Sequence, residues 1–182
     1  YHNDELVLHH DPFNHHEDRS LLTLEEFLSN WRNNKTLIFN IKSEGIENEC
    51  IELANKYNIK KWFFLDLSMP YFVKYVNILR MAENKGFNKD NLAVRFSDDE
   101  PIEYCTHFLG EVSWVWIDYF HSHPLNNRTY ETLKNYKAKI CLVSPELQGK
   151  DPSEILELRK DFKDFKIDAV CTKYPDLWIS EV

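Results

Sequence analysis

The chain has 182 residues, 43% hydrophobic and 29% charged, with 22 Lys and Arg against 30 Asp and Glu, a formal net charge of -8. That length favours one domain with a real core, and 14% aromatic residues exclude a disordered chain. The acidic balance excludes the basic stripe of a nucleic-acid binder, and no apolar run approaches the roughly 20 residues of a spanning helix. With no secretion signal at the start, a reducing, cytoplasmic setting is expected. Cys50, Cys105, Cys141 and Cys171 form no C-x-x-C pair and read as free, buried thiols.

In chain order, segments rich in β-branched and aromatic residues fall at Glu5–His9, Thr36–Ile41, Lys61–Leu67, Leu92–Phe96, Ser113–Tyr119, Lys139–Val143 and Ile167–Cys171. Several are continuously apolar, as in strands covered on both faces. Helical spacing lies between them. Thr23 and Glu26 spell a capping box ahead of Leu24, Phe27, Leu28 and Trp31. Helices are also expected over Ile46–Tyr57, Pro70–Asn84 and Pro152–Phe165, with shorter ones over Glu100–Phe108 and Arg128–Tyr136. Strand starts about 20 to 30 residues apart are the size of one βαβ unit, so a mostly parallel sheet follows. Four glycines leave no dinucleotide fingerprint or P-loop.

In parallel α/β proteins the chemistry sits at the carboxyl ends of strands. Those ends carry His9 and His10, Asn40 and Lys42, Asp66 and Ser68, Arg95 and Ser97, Asp118, Ser144 and Glu146, and Thr172 and Lys173. Polar groups on every strand favour a (β/α)8 TIM-type barrel over an open doubly wound sheet. Lys42 and Arg95 suit a phosphate. Asp66, Asp118 and Glu146 suit a hard divalent cation, Mg2+ or Ca2+. His10 is the natural proton carrier.

Leu6–Pro12 (LVLHHDP) followed by Leu22–Leu28 (LTLEEFL) resembles the glycerophosphodiester phosphodiesterase family, within the phosphatidylinositol phospholipase C-like phosphodiesterases. Ile38–Lys42 is similar to that family's strand ending in Glu-x-Lys, and Ile167–Asp176 to its closing Thr-Asp-x-Pro turn. Asn40–Gly45, Phe64–Ser68 and Val143–Leu147 look similar to a bacterial branch of it. The resemblance implies a (β/α)8 barrel, a divalent cation, and hydrolysis of a phosphodiester by two histidines. His10 corresponds to the second of these and Lys42 to the lysine of Glu-x-Lys. Asn40 stands in place of the Glu ligand, and Lys173 in place of an Asp. The family's His-Arg-Gly and Glu-x-Asp are not in this chain, which reads as a single barrel domain over 1-182 without its first βα unit.

The expected activity is therefore metal-dependent hydrolysis of a small phosphodiester, with His10 catalytic, Lys42 and Arg95 on the phosphate, and Asp118 and Glu146 on the metal. The alternative is an inactive barrel domain that binds a phosphorylated ligand or a protein partner. His15 and His16 read as solvated loop residues rather than as a metal site, His9 points the other way from His10 by strand alternation, and His121 and His123 read as surface beside Pro124. Trp62, Trp114 and Trp116 read as packing.

Overall fold

Continuous apolar strands joined by amphipathic helices must bury both faces of a parallel sheet, and the computed structural model shows that arrangement twice. It describes residues 5–10, 21–81 and 86–179. The chain forms two compact units, Tyr1–Asn88 and Lys89–Val182.

In the first unit, helix α1 (Leu24–Asn30) opens on the expected capping box. The Thr23 hydroxyl accepts from Glu26 N at 3.1 Å, and the Glu26 carboxylate accepts from Thr23 N at 3.2 Å. Leu24 and Leu28 are its buried face. Strand β1 (Leu37–Asn40) pairs in parallel with β2 (Trp62–Leu65), Asn40 lying opposite Leu65. Helices α2 (Glu47–Lys56) and α3 (Met69–Arg80) follow their strands. All four residues of β2 are buried. Phe39, Trp62, Phe64, Tyr75 and Phe87 fill the core, their neighbouring ring centroids 5.0 to 6.3 Å apart.

Glu5–His9 departs from expectation. Val7 forms an antiparallel bridge with Thr23, Leu24 N donates to Leu6 O at 2.7 Å, and Leu8 N donates to Leu22 O at 2.9 Å. Leu6 O and Leu8 N are thus bonded to the entry of α1 rather than to a parallel strand.

In the second unit β3 (Ala93–Phe96), β4 (Trp114–Ile117), β5 (Lys139–Val143) and β6 (Ala169–Cys171) pair in parallel in that order. Helices α4 (Ile102–Phe108), α5 (Asn127–Asn135) and α6 (Glu154–Asp161) connect them. A short helix, α7 (Pro175–Ile179), follows β6. Val115, Ile117, Ile140, Leu142, Leu133 and Ile155 are fully buried, whereas every residue of β6 is half-buried. The α/β class stands, with parallel sheets of two and four strands.

Cys50, Cys105 and Cys141 are buried and free, and Cys171 is half-buried and free. Burial pushes the Cys50 and Cys105 thiols up to about 12, so they serve as packing groups rather than nucleophiles. Among the described residues no helix is long and apolar enough to cross a membrane.

Two substitutions rank these contributions. Ile140→Ala empties a fully buried site at the sheet centre and is expected to cost about 2 to 5 kcal/mol. Thr23→Ala removes one cap hydrogen bond and is expected to cost about 1 kcal/mol. Urea unfolding of the two variants checks the order.

Candidate functional site

Parallel strands cannot be closed by tight hairpin turns, so their carboxyl ends open into βα loops whose polar groups need partners. In the second unit, carboxylates supply those ties between each neighbouring pair of strands. Asp98, just beyond β3, accepts from the backbone N–H groups of Phe120, His121 and Ser122, beyond β4, at 2.8, 2.7 and 2.9 Å. Asp118, at the end of β4, accepts from the Gln148 amide beyond β5 at 2.6 Å and from the Trp116 indole at 2.9 Å. Glu146, beyond β5, accepts from the Thr172 hydroxyl and Lys173 N, beyond β6, at 2.7 and 2.8 Å. Its other oxygen takes the Ser144 hydroxyl, which in turn accepts from the Trp178 indole at 2.9 Å.

The electrostatics follow from these donors. Burial works to raise the Asp98 pKa, but its three backbone N–H groups outweigh it and hold the carboxyl well below the usual range. Glu146 behaves alike: burial raises it, and Ser144, Lys173 and Thr172 together pull it below its ordinary 4.5.

The first unit carries the corresponding tie in a different chemistry. At the carboxyl ends of β1 and β2, the Lys42 ammonium donates to the Asp66 carboxylate at 3.0 Å. Of the carboxylate ties between neighbouring strand ends described here, this one is made by a cation. The side chains are 49% and 28% exposed, so the pair faces solvent. Asn40, two residues before Lys42, is exposed as well. Glu47, at the start of α2, is buried and accepts from Gly45 N at 3.2 Å.

The other expected site residues lie as follows. His10 is exposed, just past the segment that bonds to the entry of α1. Arg95 is in β3, in the second unit, where its Nε donates to both Glu100 oxygens at 3.1 and 2.9 Å. Asp118 is 8% exposed. His2, His15 and His16 lie outside the described residues, as do Asp11 and Pro12.

A divalent cation needs several oxygen ligands converging on one point. Asp118 and Glu146 offer oxygens already taken by indole, amide, hydroxyl and backbone donors. Asn40 brings no charge, and among the described residues no three His, Cys, Asp or Glu side chains cluster. The described donor set does not fit the implied metal.

Two features went unread in the sequence. Asp98 carries no motif, because its partners are backbone groups of a different loop. The Trp116–Asp118 bond had a signal, since strand alternation puts i and i+2 on one face. His123 is a correction: expected at the surface, it packs between the rings of Tyr119 and Phe162, at 4.8 and 4.6 Å. Its Nδ1 accepts from Leu125 N at 3.2 Å. Burial, with help from the Lys150 charge and against that of Asp98, lowers it to about 4. It is a neutral packing residue at physiological pH.

No family model matches the chain, and neither does any curated protein.

The Glu146 tie predicts an acid dependence. A carboxyl held below its unfolded value stabilises the fold above about pH 4.5 and loses that contribution as pH falls through its folded value. Unfolding free energy measured from pH 6 down to pH 3 is expected to fall. In Glu146→Gln the fall is shallower, after a loss of about 1 kcal/mol at pH 7.

Proposed function

We propose that this chain acts on phosphodiesters in the manner of the glycerophosphodiester phosphodiesterases, with Lys42 as the residue that binds the phosphoryl oxygens. The observation that carries the reading is the Lys42–Asp66 pair. It is a cation held half-exposed at the carboxyl ends of two parallel strands, where α/β proteins place their ligands. The resemblance of Ile38–Lys42 to the family's Glu-x-Lys strand points to the same residue. The reading brings with it a (β/α)8 architecture, for which the repeated parallel βα succession is the support.

In this reading Lys42 offsets the charge of the non-bridging phosphoryl oxygens. A water oxygen forms the new bond to phosphorus and releases its proton to solvent, and as the P–O ester bond breaks His10 gives its proton to the alcohol oxygen that departs. Arg95, the sequence's other candidate for the phosphate, lies in β3 of the second unit and donates to the Glu100 carboxylate.

A second reading is favoured by a specific observation. Asn40 replaces the family's Glu, and the carboxylates that the sequence offers as metal ligands are engaged as ties. A domain that binds a phosphorylated ligand without cleaving it needs only Lys42 and its surroundings.

Turnover separates the two. With bis(p-nitrophenyl) phosphate or a glycerophosphodiester, in Mg2+, Ca2+ or EDTA, the hydrolase reading expects His10→Ala to lower kcat by about 10² to 10⁴ with the fold intact. Unchanged turnover in His10→Ala would sink it. Phosphate binding that depends on Lys42, with no hydrolysis under any of these conditions, selects the binding domain.

A further inference from the structure

Three non-glycine residues among those described have a positive φ: Asn58 at 57°, Asp66 at 60° and Lys137 at 58°. Most L-residues avoid this conformation, and Asn and Asp enter it as single residues where their side chains find local partners. For two of them the cause is helix termination. Asn58 follows α2, with Asn58 N bonded to Asn55 O at 3.0 Å and Ile59 N to Ala54 O at 2.8 Å. Lys137 follows α5 with the same pair, Lys137 N to Lys134 O at 2.8 Å and Ala138 N to Leu133 O at 3.1 Å. Both are Schellman endings, in which a left-handed residue satisfies the last helical carbonyls.

Asp66 closes no helix. It comes directly after Leu65, the last residue of β2, whose carbonyl is still bonded to Ile41 N at 3.0 Å. The left-handed turn therefore starts at the end of a regular ladder, and the Asp66 carboxylate is received by Lys42 Nζ at 3.0 Å. Left-handed backbone without a helix to terminate is the kind of outlier that marks a functional constraint.

We infer that Asp66 is a positioning residue for Lys42, its left-handed backbone aiming the carboxylate that fixes the ammonium for an anion; this rests on the phosphoryl-binding reading above. Lys42 carries its charge on a four-carbon stem and is half-exposed, so an untethered ammonium samples many rotamers, and a ligand must order it on binding. The tether does that ordering in advance. It also sets a carboxylate near the incoming anion. At this exposure solvent screens that repulsion, while the gain from pre-ordering is undiminished.

Coulomb repulsion and positioning predict opposite signs, which makes the inference testable. The probe is orthophosphate, titrated calorimetrically into the wild-type chain and into Asp66→Asn, Asp66→Gly and Lys42→Ala, with thermal midpoints recorded in parallel. Asn tolerates left-handed backbone and keeps an acceptor for Lys42; Gly keeps only the backbone freedom. Expected are binding about threefold weaker in Asp66→Asn, about tenfold weaker in Asp66→Gly and lost in Lys42→Ala. The thermal midpoint of Asp66→Gly should equal or exceed that of wild type.

Binding that holds or tightens in both Asp66 variants while disappearing in Lys42→Ala overturns the positioning role and leaves the phosphoryl-binding reading standing. Binding that weakens only together with a lowered midpoint in Asp66→Gly makes Asp66 a structural residue and overturns the role too. A wild-type chain that binds no orthophosphate, or a Lys42→Ala variant that binds it normally, defeats the reading itself and the role with it.

Discussion

Parallel pairing imposes the constraint on which the rest of this structure depends. Each strand hands its last backbone groups to a loop that leaves the sheet, so neighbouring strand ends have no turn to join them. Carboxylates join them here. Asp98, Asp118 and Glu146 span β3 to β4, β4 to β5 and β5 to β6, and Asp66 spans β2 to β1. A chain with a net charge of -8 has carboxylates to spare for this work. Each one that is partly buried must be met by donors, or its desolvation goes uncompensated.

These ties change the meaning of the polar strand ends. Read from the sequence, Asp118 and Glu146 are metal ligands. In the structure their oxygens face N–H and O–H donors, an arrangement that stabilises the carboxylates and fixes loop to loop. The depressed Glu146 carboxyl comes from that role, since Ser144, Lys173 and Thr172 together outweigh burial. A perturbed carboxyl at a strand end is therefore an ambiguous pointer to function.

Much of the fold was legible because it rests on local chemistry. The Thr23–Glu26 capping box, the continuous apolar run Trp62–Leu65 and the spacing of strands and helices each depend on neighbours in sequence. Glu5–His9 was misread because its apolar pattern fits either kind of pairing, and the partner at Thr23 is chosen by backbone geometry. His123 was misread because a loop histidine beside Pro124 gives no sign that Tyr119 and Phe162 will enclose it. The candidate site was half legible. Lys42 and Asp66 stood out as polar groups at strand ends, but their pairing needs the parallel register of β1 on β2, and the left-handed backbone of Asp66 leaves no mark in composition.

The distinction that matters for function lies in the donors of the ties. In the second unit the donors described above are an amide, an indole, a hydroxyl and backbone N–H groups. Asp98 and Glu146 are held below the usual carboxylate range by those donors, and a phosphate approaching them would meet repulsion. In the first unit the donor is an ammonium, so the tie is neutral overall and still presents N–H groups on a cation that is half in solvent. The proposed phosphoryl-binding reading places the anion there. The same structural device thus closes the strand ends in both units, and the Lys42 donor is what turns one tie from a fastening into a candidate site.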